Sequence, residues 1–161
     1  MILTIFTAFH VILSLVGIVS GFVVVFGLLG SRRLDGWTTL FLWTTVLTSV
    51  TGLLFPFHGF TPGYPVGIVS LILLAIAIRA LYRHRLAGGW ARTYVIASVI
   101  ALYLNVFVLI VQLFRKVPAL KAIAPTQSEP PFQFAQLTAL LFFVGLGIRA
   151  SMKFHGEPAI R

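Results

Sequence analysis

Residues 2–29, ILTIFTAFHVILSLVGIVSGFVVVFGLL, contain no Asp, Glu, Lys or Arg. In a soluble protein so long a run would leave apolar surface in contact with water. Lipid accepts it, provided that every backbone N–H and C=O is satisfied within the segment, which selects a helix. About 20 apolar residues are enough to cross the hydrocarbon. Four further runs follow, at about 37–55, 66–82, 94–114 and, shorter, 134–148. None shows the two-residue alternation of a membrane β-strand. Composition agrees: 59% of the 161 residues are hydrophobic and 9% charged, where a soluble domain carries about 25% charged. The expected fold is an all-α integral membrane protein, one domain built as a bundle of about five transmembrane helices.

The charges give this bundle a direction. Arg32 and Arg33 follow the first run. Arg79, Arg83, Arg85 and Arg92 surround the third connection, and Arg149, Lys153 and Arg161 end the chain. The connection between the fourth and fifth runs holds Arg115, Lys116 and Lys121, while the second, PFHGFTPGYP, holds no Lys or Arg. Cytoplasmic loops carry the excess of Lys and Arg. The first and third connections and the C-terminus are therefore expected in the cytoplasm, with the N-terminus outside. Trp37, Tyr82, Trp90 and Tyr94 fall at cytoplasmic span ends, where amphipathic rings favour the interface. The net charge of +9 is thus explained without nucleic acid, and the cytoplasmic arginines are expected to meet anionic lipid headgroups. RLDGW after the first run and RLAGGW after the third form a weak internal echo. It suggests two cytoplasm-linked hairpins with a fifth helix against their side. The first run lacks a basic leader and a small-residue cleavage site, so it reads as a retained span.

Polar residues on these runs are the candidate site. Thr7, His10, Ser14, Gly17 and Gly21 recur at three- and four-residue steps and share a helix face. Gly17 and Gly21 form a small-xxx-small pair that permits close backbone approach. His10 is the ionisable group on that packed stripe, and an intramembrane ionisable group is a site candidate. It reads equally as a structural His bonded to a hydroxyl or amide. Ser98, Asn105 and Gln112 are spaced by sevens, drifting about 20° per step, with Lys116 one turn beyond. They form either interhelical glue or a polar lining. The Thr and Ser of 38–51 point in several directions and read as structural, bonding their own i−4 carbonyls. His58 lies in the second connection.

Residues 115–133 form the connection between the last two runs. Pro118 suits the first turn of a short helix to about Ala124, which could lie along the interface, and Pro125 ends it. Glu129 precedes Pro130 and Pro131 on extended chain. The segment is expected either to fold over the outer end, bringing Glu129 toward Lys116, His58 or His10, or to remain a solvated loop. The candidate ligand-binding set is His10, His58, Asn105, Gln112, Lys116 and Glu129.

No HExxH, GxSxG or carboxylate pair occurs, so hydrolase chemistry lacks its residues. Without cysteine there is no disulfide or thiolate metal site. The expectation is a non-catalytic protein that binds a small molecule or ion at its outer face, or is a subunit beside another membrane protein or further copies of itself. The alternative is a redox protein binding quinone, or haem b, whose axial ligands must face across the porphyrin at similar depth.

The stretch KVPALKAIAPTQSEPPF, with LYLNVFVLIVQ before it, resembles a group of small bacterial multi-pass inner-membrane proteins. The likeness extends over most of the chain, through the RLDGW turn and the last run. It implies a bacterial inner-membrane location and assigns no activity or residue role.

Overall fold

The computed structural model describes residues 1–55 and 63–156. Its elements are α1 (Ile2–Leu29), α2 (Asp35–Leu53), α3 (Gly63–Ile78), a π-helical turn (Arg79–Arg83), α4 (Gly89–Lys116), α5 (Pro118–Ile123) and α6 (Pro130–Lys153). Among the described residues there is no strand. This is an all-helical membrane-protein bundle. Four of its helical segments are long and apolar enough to span a bilayer: Ile2–Leu29, Gly63–Arg83, Gly89–Lys116 and Pro130–Lys153.

The segment α2, expected as a fifth span, is not among those four. Its 19 residues would reach about 28 Å, close to the hydrocarbon thickness. Its Thr and Ser lower its hydropathy, and they are turned inward: Thr38, Thr44, Thr45, Thr48, Ser49 and Thr51 are all buried. Two of these hydroxyls are satisfied within the helix. Thr44 donates to the Leu40 carbonyl and Thr51 to the Leu47 carbonyl, each at 2.7 Å. A back-bonded hydroxyl presents little unsatisfied polarity to its neighbours.

The helices pack with α4 at the centre, against α1, α3, α5 and α6, while α2 lies between α1 and α3. Two contacts fix which ends lie together. Ser31, just after α1, donates its hydroxyl to the Lys153 carbonyl at the end of α6. Past α6, Gly156 has φ +73°, and a side chain there would strike the Leu86 carbonyl in the α3–α4 turn. The Arg-bearing turns and the end of α6 therefore share one end of the bundle.

Packing is uneven along the axis. The apolar core draws on Val24, Val25 and Leu28 of α1, Phe41 of α2, Leu74 of α3 and Leu102 of α4. These belong mostly to the helix halves nearest the Arg-bearing turns. Close approach there depends on Gly21, where a Cβ would lie 2.6 Å from Leu102 Cδ1 and 2.9 Å from the Phe41 ring. Gly17, one turn earlier, faces Thr44, Thr45 and Asn105. Toward the opposite end the helices separate and the polar residues take over.

Gly21→Val is expected to cost about 1–3 kcal/mol through overpacking, read as a lower thermal midpoint in mild detergent. Gly145→Ala, whose added Cβ meets no atom within 4 Å, should leave the midpoint unchanged. An unaltered midpoint in Gly21→Val would contradict this packing.

Candidate functional site

A cavity of about 440 Å³ lies between α1, α2, α3 and α4, in the half away from the Arg-bearing turns. Its volume falls in the range of small-molecule sites, about 300–1,000 Å³. Four of the six residues proposed from the sequence line it: His10 from α1, and Asn105, Gln112 and Lys116 from α4. The seven-residue spacing on α4 places Asn105 deep and Gln112 nearer the mouth, with Lys116 at the helix end.

His10 Nδ1 and the Thr51 hydroxyl are hydrogen-bonded at 2.8 Å, and Thr51 Oγ1 also lies 2.7 Å from the Leu47 carbonyl. In neutral imidazole one nitrogen donates and the other accepts. With Nδ1 engaged by Thr51, Nε2 is the nitrogen left for the cavity, an acceptor when the Thr51 proton goes to Leu47 and a donor when it goes to Nδ1. The ring is also held by Phe55, edge-on with centroids 5.1 Å apart, and Phe55 packs on Phe6. Gly52 leaves room for it, since a Cβ there would sit 3.4 Å from His10 Cε1.

The deeper wall is made of hydroxyls and one amide. Asn105, 8% exposed, directs Nδ2 toward Thr45 Oγ1 at 3.5 Å, at the limit of a hydrogen bond. Ser49 donates to Ser70 at 3.2 Å, tying α2 to α3. Thr48 is different. It is 7% exposed, lines the cavity, and its hydroxyl has no hydrogen-bond partner. Buried polar groups are almost always paired with protein or water; Thr38, Tyr94 and Ser98 in the packed half also lack a partner, and of these hydroxyls Thr48 is the one that lines the cavity. The hydroxyls of α2 showed no single direction in the sequence. Only packing against α1 and α3 selects Thr48 and Ser49 for the cavity.

The other proposed residues lie elsewhere. His58 is outside the described residues. Glu129 does not line the cavity. Its carboxylate accepts from the Thr126 hydroxyl at 2.7 Å, the Thr126 N–H at 3.1 Å and the Ser128 N–H at 3.1 Å. Glu129 thus closes its own turn at the start of α6, where Pro130 and Pro131 occupy the first helical positions. The segment is mostly exposed and is fastened at two points. Ala124 is fully buried, and Gln127 donates to the Val111 carbonyl at 2.8 Å. Ser98, from the same α4 stripe, lies in the tightly packed half beside Thr38 and Tyr94.

Haem held by two histidines would need a second imidazole at the depth of His10. The other described histidines, His84 and His155, belong to the opposite end: His84 stacks on Trp90 with centroids 3.7 Å apart, and His155 follows α6. Among the described residues no cluster of His, Asp or Glu could hold a metal ion. Compared with known proteins, the chain matches no family model, no curated protein and no solved structure.

The Thr126 hydroxyl, followed by the backbone N–H groups, holds the Glu129 carboxyl below its ordinary value. The contribution of this cap is therefore fully present above the unfolded value, about 4.3, and is lost as pH falls through the lower folded value. A carboxyl ¹³C titration of Glu129 should show a midpoint below that of free glutamate. Thr126→Val should move it back up, and an identical midpoint in both proteins would refute the capping role.

Proposed function

We propose that this is a non-catalytic multi-pass protein of the bacterial inner membrane that binds a small molecule in the cavity between α1 and α4. The observation that carries the reading is the partnerless Thr48 hydroxyl, facing a space it shares with His10, Asn105 and Gln112. A cavity with apolar walls and a few convergent polar groups is the ordinary form of a small-molecule site. Its members come from four helices, so an occupant would also tie the bundle together where its own packing is loose.

The orientation is that of the sequence reading. The Arg-bearing turns and C-terminus face the cytoplasm and anionic headgroups, by the distribution of Lys and Arg. The N-terminus, α5 and the cavity face outward. In this arrangement α2 is the fifth span. Its outward side carries Trp43, Leu47 and Val50, all exposed, as a lipid-facing surface requires, while its hydroxyls look inward. The bacterial inner membrane is proposed from the expectation attached to the VPAL and APTQSEPPF segments and rests on that alone.

The absence of cysteine makes the orientation directly testable. In intact cells Lys121→Cys should react with an impermeant thiol reagent, and Arg85→Cys only after permeabilisation; the reverse pattern would invert the protein. For the cavity, native mass spectrometry of protein purified in mild detergent should find a bound small molecule. Ser14→Trp, which fills the cavity from α1, should lose it while remaining monodisperse. A fixed protein partner with the cavity empty would instead favour a subunit role. A visible chromophore lost in His10→Ala would favour the redox alternative.

A further inference from the structure

We infer that the cavity selects a small organic anion, a carboxylate or phosphate that also carries hydroxyl or carbonyl groups, bound with its charge at Lys116 and Arg115. The inference rests on the cavity being a binding site and adds the class of molecule it takes.

The charge balance of this end is the first ground. Arg115 and Lys116 both line the cavity, at the C-terminal end of α4. The chain has three acidic residues, Asp35, Glu129 and Glu157. Asp35 lies at the opposite end, paired with Arg33. The Glu129 carboxylate is occupied by Thr126 and Ser128. Glu157 follows the end of α6, beyond the described residues. Residues 56–62, also outside the description, contain no Asp or Glu. Among the described residues no carboxylate faces Arg115 or Lys116, and no acidic residue lines the cavity. A cation entering there would meet two like charges and no counter-charge. An anion would complete two charge-assisted hydrogen bonds.

The placement of these cations is the second ground. Nine of the twelve basic residues follow the positive-inside pattern, leaving Arg115, Lys116 and Lys121 on the outer side. Orientation does not ask for cations there. Two of the three open onto the cavity, while Lys121 on α5 does not.

The interior is the third ground, because it favours a molecule with a second polar group over a plain fatty chain. Below the cationic mouth the walls present His10 Nε2, the Thr48 hydroxyl and the Asn105 amide. An alkyl tail would leave Nε2 and the Thr48 hydroxyl without partners, which is costly. A molecule with a polar group distal to its charge satisfies them, and Val11, Leu15 and Leu109 cover its carbon skeleton.

Three probes of one length separate the possibilities in detergent-solubilised full-length protein: 6-hydroxyhexanoate, 1,6-hexanediol and 6-aminohexanol, followed by ligand-observed NMR. The carboxylate should bind at least about tenfold more tightly than the other two, the scale of one charged hydrogen bond. Lys116→Gln should reduce that preference and Arg115→Gln with Lys116→Gln should remove it, and Ser14→Trp should abolish binding of all three. Hexanoate, lacking the distal hydroxyl, should bind more weakly than 6-hydroxyhexanoate, and Thr48→Val should remove that difference. Equal binding of the three probes, still blocked by Ser14→Trp, would overturn the anion inference and leave the cavity as a site. Preference for the ammonium, or binding of none, would also overturn it. Carboxylate binding that Ser14→Trp does not touch would refute the cavity itself as the site.

Discussion

The close approach of α1 to α2 and α4 at Gly17 and Gly21 is the contact on which the rest of the structure depends. In lipid, burial of apolar surface does little to hold helices together, since the tails are as apolar as leucine. Helices adhere by fitting closely and by pairing the few polar groups they bring. Gly21 admits Phe41 and Leu102 against the α1 backbone, and the half of the bundle nearest the Arg-bearing turns packs around that point. Gly17 sets the hydroxyls of Thr44 and Thr45 and the Asn105 amide against the same backbone. From there outward the α1 stripe changes from glycine to Ser14 and His10, the side chains grow, and the helices no longer meet across the axis. One helix face thus makes both the tight half and the cavity.

That division explains how the polar groups are distributed. On α2, Thr44 and Thr51 turn their hydroxyls back on their own helix and present little to their neighbours, while Ser49 reaches across to Ser70. Thr51 goes further. Its hydroxyl also orients His10 through Nδ1 and leaves Nε2 for the cavity. A hydroxyl that looks structural on its own helix therefore determines the chemistry of the residue opposite. Thr48, one turn deeper, has the same side chain and no partner. The contrast between Thr51 and Thr48 separates support from site.

The helices were legible in the sequence because lipid permits few alternatives to a long apolar run. Apolar length also located the second helix, yet its hydropathy falls short of the other four because of its Thr and Ser residues, whose inward direction only packing reveals. The α1 stripe and the Asn105–Gln112–Lys116 register could be read from helical periodicity alone. Thr48, Ser49 and Ser70 could not, since their selection depends on how α2 and α3 rotate against their neighbours. Glu129 exposes another limit. The sequence leaves it either turned toward Lys116, His58 or His10 or on a solvated loop; in the structure the nearer N–H and hydroxyl donors of Thr126 and Ser128 hold it. A local cap closes with little loss of chain entropy, whereas a reach across the bundle must order the whole segment.

The capture of Glu129 by its own turn has a consequence for the cavity. Had that carboxylate folded back onto Lys116, the mouth would carry its own counter-ion, and an anion would have to displace it. Instead Gln127 fastens the segment to α4 through the Val111 carbonyl, using a neutral side chain. The loop is anchored beside the cavity without neutralising it. Packing and charge are thus handled by adjacent but separate residues, so this end of the bundle holds two cations without a protein partner among the described residues. Arg115 and Lys116 also lie in the last turn of α4, where positive charge complements the helix dipole, so the same two side chains suit the helix end and leave the mouth of the cavity cationic.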